Sequence, residues 1–280
     1  MNKIQHIKQK QVKPFLRWAG GKSWLLSHIE PFLPTNFENY HEPFLGGGSV
    51  FIHLKSIGKI KQRAFLSDKN ENLINAYQVL QKRPKDLIAE LRKFKNEKDF
   101  YYYIRDQKYE KSISQAAQFI FLNRTSFNGI YRVNLKGEYN VPYGFKNYKQ
   151  LFDFENIKEL SYHFKDTFFN SIDFEETIDN IKKNDLVFLD PPYTVAHENN
   201  GFIKYNQKIF SWEDQVRLEE YIKSIKRKGA YYILTNAAHK SISDLFNETS
   251  SKYEMKRFSV VGGKGSSRQQ ISEFIFTNCI

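Results

Sequence analysis

The run Asp190-Pro191-Pro192-Tyr193 carries the most specific chemistry in the sequence, and it follows the apolar segment Leu186–Leu189. The prolines have fixed φ angles and no amide hydrogen, so their carbonyls point outward as rigid acceptors. A carboxylate and such a carbonyl can together accept both hydrogens of an exocyclic amine, and Tyr193 adds a flat face for a base. The run therefore predicts a site for an amino group on a planar ring, with the nitrogen lone pair left for attack. The alternative is a strand end that is capped by a rigid turn.

A glycine run near the start of the chain is typical of a nucleotide-binding turn. Tyr40–Leu45 is predicted to be a strand that enters Gly46–Gly48 and is followed by a helix. Asp68 ends the next predicted strand, at the spacing where such folds place an acid on ribose hydroxyls. The full G-x-G-x-x-G fingerprint is absent, because Phe51 occupies the third glycine position. We predict a ligand site here, against the alternative of a plain turn that enters a helix.

A second glycine pair lies in the stretch Trp18–Ser23, which reads Trp-Ala-Gly-Gly-Lys-Ser. The phosphate-binding loop G-x-x-x-x-G-K-[ST] would need a glycine at the position of Leu16, so an ATPase is not expected. The stretch offers an aromatic ring, a flexible turn and Lys22 just before a predicted helix, which suits the edge of a cofactor site. The alternative is a turn with a solvated lysine.

Short apolar strands alternate with helical patterns at both ends of the chain, and this alternation predicts an α/β sheet. Leu186–Leu189 is typical of a buried parallel strand, and Trp212–Lys228 of a helix that leads into the strand Tyr231–Thr235. The bounds of that helix are marked by an N-cap, a capping acid and a closing glycine: Ser211, Asp214 and Gly229.

The middle of the chain reads as an inserted helical segment, with helical patterns at Ala76–Leu80, Lys85–Phe94 and Gln115–Leu122. Residues 1–75 and 166–280 are therefore predicted to form one discontinuous catalytic domain. Residues 76–165 are predicted to form the domain that recognises the target.

The composition favours a polyanionic partner, since 43 Lys and Arg residues against 31 Asp and Glu residues give a net charge of +12. Aromatic residues, at 16%, supply faces on which unstacked bases can stack. No apolar run is long enough to span a membrane, and the first ten residues lack the apolar core of a secretory signal. The single cysteine, Cys279, excludes a disulfide framework, and the seven histidines lack metal-ligand spacing. A cytoplasmic protein without a bound metal is expected.

Residues 121–150 combine five Lys and Arg side chains with one Glu and interleaved aromatic residues. Leu135–Glu138 is predicted to be the turn of a β-hairpin between the strands Ile130–Asn134 and Tyr139–Val141. A two-stranded ribbon can enter the major groove of DNA, where an arginine can bind O6 and N7 of guanine. We therefore predict a DNA-reading hairpin, with Lys146 among its DNA contacts. The alternative is a basic, exposed hairpin whose aromatic residues pack on helices.

Basic residues near both ends of the chain are predicted either to contact phosphates, which would position the DNA without reading it, or to be solvated. They are Lys3, Lys8, Lys10, Lys13, Arg17, Lys22, Lys252, Lys256, Arg257, Lys264 and Arg268. The loop Val195–Lys208 is long and polar, as expected of a lid over a target base.

Together and in this order, the motifs resemble those of DNA adenine-N6 methyltransferases of the Dam type, with the cofactor motif first and the catalytic motif last. The resemblance spans nearly the whole chain and rests on Pro14–Leu25, Glu42–Ser49, Asp68–Tyr77, Asn123–Gly144, Asp190–Tyr193 and Gly265–Asn278. It implies a Rossmann-like sheet that binds S-adenosyl-L-methionine and an inserted target-recognition domain. It also implies methyl transfer to adenine N6 in GATC sequences of double-stranded DNA, after the adenine has left the helix.

The resemblance also implies roles for individual residues. The catalytic residues would be Asp190, Pro191, Pro192 and Tyr193. Contacts to S-adenosyl-L-methionine are implied for Trp18, Lys22, Phe44, Gly46, Gly48, Asp68, Asp173 and Asp190. DNA contacts are implied for Arg17, Phe127, Asn128, Ile130, Arg132 and Pro142. The two arginines would read guanines, Ile130 and Pro142 would touch a thymine methyl group, and Phe127 would wedge into the base stack beside Asn128.

Several functions stay open on the residues alone. Cytosine N4, adenine in RNA and a protein amide all present a planar amine to the same site, and a catalytically silent DNA-binding module is a further alternative. Methylation of cytosine C5 needs a thiolate, for which Cys279, after an apolar strand, is a poor candidate. One chain holds both predicted catalysis and recognition, so a monomer is expected, acting alone or beside a restriction endonuclease.

Overall fold

The structure, a computed structural model, describes residues 12–134, 136–194, 210–247, 251–258 and 270–280. Its contacts divide the chain into two compact units. The helical unit comprises the described parts of Met1–Gly21, Gly47–Lys59 and Asn75–Lys165, and the sheet unit those of Lys22–Gly46, Ile60–Ile74 and Asp166–Ile280. The predicted lid Val195–Lys208, the basic residues Lys3, Lys8, Lys10, Lys264 and Arg268, and the side chain of Arg257 lie outside the description.

The helical unit contains the region predicted as an insertion at residues 76–165, and residues 12–21 and 47–59 belong to it as well. In the sequence, these short segments are continuous with segments that form the sheet, so the sequence pattern does not assign them to another unit. The assignment of target recognition to one region and of catalysis to the other stays a prediction.

The sheet unit contains seven strands: β1 (Tyr40–Glu42), β2 (Ala64–Ser67), β3 (Thr167–Asn170), β4 (Leu186–Leu189), β5 (Tyr231–Ala237), β6 (Ser251–Phe258) and β7 (Gln270–Thr277). Their order is β3-β2-β1-β4-β5-β7-β6. The strands from β3 to β5 in this order are parallel, whereas β7 pairs antiparallel with β5 and with β6. The predicted α/β sheet is confirmed.

The strand bounds follow from local chemistry. β4 has the predicted bounds, because a continuous apolar run suits a strand that is buried on both faces. β1 is shorter than the predicted Tyr40–Leu45 and ends before Pro43, which has no amide hydrogen to donate to the ladder. β5 extends beyond the predicted end to Ala237, so Thr235 lies inside a strand.

The sheet order creates a topological switch between β1 and β4. These strands are neighbours, although the chain forms β2 and β3 before it returns to β4. In open parallel sheets, ligands bind beyond the carboxyl ends of the strands at such a point. Gly46 follows β1, Asp68 follows β2 and Asp190 follows β4, so three predicted site residues lie at this edge.

The helix predicted at Trp212–Lys228 is confirmed as Trp212–Arg227. Ser211 and Asp214 form the expected capping box, and Gly229 closes the end with a φ of +72°. Its apolar residues form the sheet unit's core cluster with side chains of β4 and β5, among them Leu189, Leu218, Ile222, Ile225 and Leu234. This packing holds β4 in place, and Asp190 directly follows that strand.

The helical unit contains the helices Ser49–Ser56, Pro84–Leu91, Lys98–Asp106, Ser112–Thr125 and Phe154–His163, and the helix Glu71–Lys82 contains the unit boundary between Ile74 and Asn75. The predicted helical character of the inserted segment is therefore confirmed. Among the described residues, no helix is long and apolar enough to cross a membrane.

The predicted hairpin is present, but its two strands are not. Val133 and Tyr139 form an antiparallel bridge, and the amide of Asn134 donates to the carbonyl of Glu138 at 2.9 Å. The Asn134 side-chain oxygen accepts the amides of Lys136 and Glu138 at 2.9 and 3.0 Å. The prediction of strands at Ile130–Asn134 and Tyr139–Val141 is wrong, because this side chain satisfies backbone donors and favours a turn over a longer ladder.

Candidate functional site

The Asp190 carboxylate is held by two partners at the end of β4. Its Oδ1 lies 2.6 Å from Lys22 Nζ and accepts a 2.8 Å hydrogen bond from Thr235 Oγ1. Thr235 reaches it because Leu189 pairs with Leu234 in the β4–β5 register. Lys22 is only 4% exposed and Asp190 18% exposed, so this ion pair is largely shielded from water. The orientation of the carboxylate is therefore fixed by the fold.

Burial raises the pKa of Asp190 above its ordinary value, and the nearby carboxylate of Glu273 adds to the rise. The Lys22 ammonium and the hydrogen bond from Thr235 oppose it. The site combines two carboxylates with one lysine. This excess of negative charge suits an amine that becomes positively charged during a reaction.

Tyr193 is held beside the same lysine. Its hydroxyl donates to Glu273 Oε2 at 2.6 Å, and Lys22 Nζ lies 4.9 Å from the centre of its ring. Glu273 is 2% exposed, lies in β7 and faces Ala237 of β5 in the register. The sequence analysis assigned no role to Glu273, and the signal that could have drawn attention to it is an acid directly before the apolar run Phe274–Phe276.

The glycine turn and Asp68 meet as expected. The amide of Gly46 donates to Asp68 Oδ2 at 3.1 Å, and the amide of Asn70 donates to Oδ1 at 3.0 Å. Gly46 has a φ of +48°, which favours glycine at this position. Burial raises the pKa of Asp68, and the two amide donors oppose the rise. A carboxylate held in this way keeps further lone pairs for hydroxyl donors.

Phe44 and Asp173 lie in the sheet unit, and each contacts other side chains of that unit. The Phe44 ring packs against Phe174, with centroids 5.3 Å apart. Asp173 caps the short helix Phe174–Asn180 and forms ion pairs with Lys69 at 2.8 Å and with Arg217 at 2.9 Å. These partners lower the pKa of Asp173 against the effect of its burial. Its predicted contact with a cofactor stays a prediction.

Trp18 and Gly48 belong to the helical unit, unlike the other residues predicted to bind the cofactor. The Trp18 ring stacks on Tyr131, with centroids 5.6 Å apart. Gly48 is the N-cap of the helix Ser49–Ser56 and has a φ of +62°. The structure thus brings Lys22, Asp190 and Tyr193 into direct contact, whereas the predicted cofactor residues are divided between the two units.

The Arg132 side chain is exposed on the hairpin and held in one orientation. Its Nε donates to Asn140 Oδ1 at 2.8 Å, and its Nη2 donates to the Asn140 carbonyl at 3.2 Å. These two hydrogen bonds restrict the guanidinium before any partner binds. Binding therefore costs less conformational entropy than it would for an unrestrained side chain. The predicted contact of Arg132 with a guanine stays a prediction.

Phe127 and Pro142 are neighbours at the base of the hairpin. The amide of Phe127 donates to the Pro142 carbonyl at 2.8 Å, and the Phe127 ring is 52% exposed. Asn128 is exposed and has a φ of +55°, which few residue types adopt, while Ile130 is half-buried. In contrast, Tyr139 and Tyr143 form hydrogen bonds with helical residues and a loop of their own unit. For these two residues, the alternative that the aromatic side chains of the hairpin pack on the rest of the unit therefore holds.

Arg17 is tied to the same region through Asn123. The Arg17 amide donates to Asn123 Oδ1 at 2.8 Å, and Asn123 Nδ2 donates back to the Arg17 carbonyl at 2.7 Å. A Cβ on Gly129, whose φ is +66°, would lie 2.5 Å from Arg17 Cδ. The Arg17 side chain therefore lies closely against the backbone at the base of the hairpin.

Arg17, Arg124 and Lys146 form a cationic cluster around Tyr148. The Arg124 and Arg17 guanidinium carbons lie 4.4 and 5.9 Å from the Tyr148 ring centre. Burial and the neighbouring cations lower the pKa values of Arg124 and Lys146. Among the described residues, no carboxylate forms an ion pair with these three side chains. The cluster therefore favours an anionic partner.

The described part of the chain contains no group of three His, Cys, Asp or Glu side chains that could hold a metal ion. Cys279 is half-buried, and burial raises the pKa of its thiol. A thiolate nucleophile is disfavoured at this position.

Comparison with known proteins identifies related chains over almost the full length. The chain is 35% identical to the type II methyltransferase M1.LlaDCHI of Lactococcus lactis subsp. cremoris, with 99% of each chain covered. It is 35% identical to the type II methyltransferase M.MjaIII of Methanocaldococcus jannaschii, with 96% of this chain and 99% of the relative covered. It is 29% identical to the DNA adenine methylase of Salmonella typhimurium, with 95% of each covered.

Residues 18–260 match the family described as D12 class N6 adenine-specific DNA methyltransferase. This range contains the glycine turn, Asp68, the hairpin and the run that begins at Asp190. The seven-stranded sheet agrees with the expected fold of S-adenosyl-L-methionine-dependent methyltransferases. The chain belongs to the D12 class of N6 adenine-specific DNA methyltransferases.

Proposed function

We propose that this protein transfers a methyl group from S-adenosyl-L-methionine to N6 of adenine in GATC sequences of double-stranded DNA, after the adenine has flipped out of the helix. The observation that carries the proposal is the Asp190 carboxylate, fixed at the switch point by Lys22 at 2.6 Å and Thr235 at 2.8 Å. The rigid prolines and the held Tyr193 ring follow it directly in the chain.

The protein's part in this reaction is to hold the amine. Asp190 accepts one N6 hydrogen and the Pro191 carbonyl accepts the other, so the nitrogen lone pair projects away from both acceptors. The Tyr193 ring supplies the face on which the flipped base stacks. The carboxylates of Asp190 and Glu273 stabilise the positive charge that the amine gains as the new N–C bond forms. This charge is lost when the methylated amine releases one N6 proton to solvent. Most of the rate increase then comes from positioning and fixed charge.

The residues present suit S-adenosyl-L-methionine, which supplies a sulfonium methyl group when it is bound. The Asp68 carboxylate, held by the amides of Gly46 and Asn70, suits the ribose hydroxyls. We assign further contacts to Trp18, Lys22, Phe44, Gly48, Asp173 and Asp190. The raised pKa of the Cys279 thiol supports an amine target over a ring carbon that would need a thiolate.

We propose that the hairpin and its base read the DNA. Arg132 and Arg17 bind guanines, and Ile130 and Pro142 contact a thymine methyl group. Phe127 wedges into the stack beside Asn128, and Lys146 binds the backbone. The exposure of Phe127 and the cationic cluster around Tyr148 support these assignments. We also propose that the chain acts as a cytoplasmic monomer paired with a restriction endonuclease. The Lactococcus and Methanocaldococcus relatives are named type II methyltransferases, which supports the part in restriction and modification.

The test of this function is transfer of labelled methyl from S-adenosyl-L-methionine to two duplexes that differ only in one GATC. Label on that adenine alone is the expected result. Equal label on both duplexes would keep the chemistry and contradict the sequence reading. Label on cytosine N4, or on RNA or protein but not on DNA, would contradict the adenine assignment.

Arg132→Ala is expected to relax base preference at one guanine by about 1–3 kcal/mol of discrimination, because the bidentate contact is lost. The measurement is kcat/KM on duplexes with each single substitution in the recognition sequence. Lys136→Ala removes an exposed charge from the turn of the same hairpin. We expect it to weaken binding equally for all sequences. An unchanged base preference in Arg132→Ala would contradict the proposal that the hairpin reads bases.

A further inference from the structure

Glu273 is a buried acid beside apolar side chains of β7. Its neighbours Ile275 and Phe276 in β7 are fully buried, and Glu273 itself is 2% exposed. A charge at such a position is costly unless it is paired and hydrogen-bonded. Here it accepts the Tyr193 hydroxyl at 2.6 Å and lies 3.9 Å from Lys22 Nζ. Both partners belong to the proposed site, so the acid connects β7 to the residues that would hold the substrate.

The Tyr193 ring is restrained from several sides. Glu273 holds its hydroxyl, and the Lys22 ammonium lies against its ring. The next residue, Thr194, is buried, donates to the Phe210 carbonyl at 3.2 Å and accepts from Gln215 Nε2 at 2.9 Å. The contact from Glu273 restrains the far end of the ring, whereas the other contacts described here act at its face or on the adjacent residue.

Lys22 is shared between two carboxylates. It lies 2.6 Å from Asp190 and 3.9 Å from Glu273. Among these three described groups, two acids lie beside one ammonium, and their negative charge complements an amine that becomes cationic on methylation. Loss of the Glu273 charge would weaken this complementarity.

We propose that Glu273 is a positioning residue for methyl transfer: it fixes the Tyr193 ring through its hydroxyl and draws part of the Lys22 charge away from Asp190. This inference rests on the proposed function for its effect on the rate. The two links, from Glu273 to Tyr193 and from Glu273 to Lys22, are contacts within the protein and need no substrate. The titration of Asp190 therefore does not depend on the proposed function.

Among the described residues, the charged groups that act on Asp190 are Lys22 and Glu273, while Thr235 donates a hydrogen bond to it and Tyr193 bonds to Glu273. Glu273 raises the pKa of Asp190, and Lys22 lowers it. Removal of the Glu273 charge therefore lowers the pKa of Asp190, and the acid limb of the rate profile moves to lower pH. A side chain that only supported the fold would not produce this shift.

The test uses Glu273→Gln, which keeps the size and a hydrogen-bond acceptor for Tyr193 but removes the charge. We expect kcat to fall about 10- to 100-fold, with a much smaller change in KM for DNA, because the amine is bound but less well placed. Carboxyl NMR of protein labelled at aspartate, with Asp190→Asn to assign the signal, should give a lower pKa for Asp190 in Glu273→Gln. Glu254→Gln, on exposed β6, is the matched control and should change neither quantity.

Tyr193→Phe tests the hydroxyl link separately, because it keeps the ring and leaves both carboxylates in place. We expect kcat to fall, because the far end of the ring loses its contact with Glu273. A normal kcat in either single variant, or an Asp190 titration that Glu273→Gln leaves unchanged, would overturn the proposal. A wild-type protein that methylates no DNA would instead overturn the proposed function, while the Asp190 titration would still test the charge link.

Discussion

Asp190→Ala is expected to lower kcat for methyl transfer by about 100- to 1,000-fold or more, because the fixed acceptor and charge at the reacting amine are lost. DNA affinity should change little, since the cationic cluster around Tyr148 and the hairpin belong to the other unit. The measurement combines single-turnover methylation with equilibrium binding of a fluorescent duplex. Loss of rate without loss of affinity separates chemistry from recognition.

The control for Asp190→Ala is Asp179→Ala, which removes an exposed carboxylate from the sheet unit. We expect it to leave both the rate and the affinity within about twofold of the wild type. Thermal unfolding of both variants identifies any loss of folded protein. A near-normal rate in Asp190→Ala would show that the amine is held elsewhere, and the catalytic assignment of the whole run would then be wrong.

Local patterns predicted the elements that carry this site. The four residues of β4 form a buried strand because all of them are apolar, and Asp190 follows directly from its end. The helix Trp212–Arg227 has the predicted caps because Ser211 and Asp214 satisfy its first amides. The contact between Gly46 and Asp68 follows from the adjacency of β1 and β2, which a strand–helix–strand pattern favours.

The contacts that the sequence did not indicate join distant parts of the chain. Glu273 lies 80 residues from Tyr193, and their pairing requires β7 to lie beside β5, which the local pattern does not specify. Asp173 reaches Arg217 across 44 residues, and nothing near either residue indicates the partner. The hairpin strands were overestimated because the predicted turn suggested a ladder on both sides of it, whereas the Asn134 side chain closes the turn through its own hydrogen bonds.

Lys22→Met is expected to reduce the free energy of unfolding by about 3–5 kcal/mol near neutral pH, because it removes an ammonium that lies beside two buried carboxylates. In the wild type, the ammonium lies 2.6 Å from Asp190 and opposes the rise in its pKa. Its removal raises the pKa of Asp190 further. A carboxyl group whose pKa is higher in the folded than in the unfolded state costs stability above that folded pKa, and the cost disappears as the pH falls through it.

The loss in Lys22→Met should therefore be larger at about pH 8 than at an acidic pH, because Asp190 takes up a proton in the folded variant as the pH falls through its raised pKa. Urea unfolding at both pH values measures the difference, and Lys61→Met, an exposed lysine of the sheet unit, serves as the control. An equal loss at both pH values would mean that Lys22 stabilises the unit through its aliphatic chain. A loss that shrinks in acid would identify it as the counter-ion of Asp190, since only the charged carboxylate needs the ammonium.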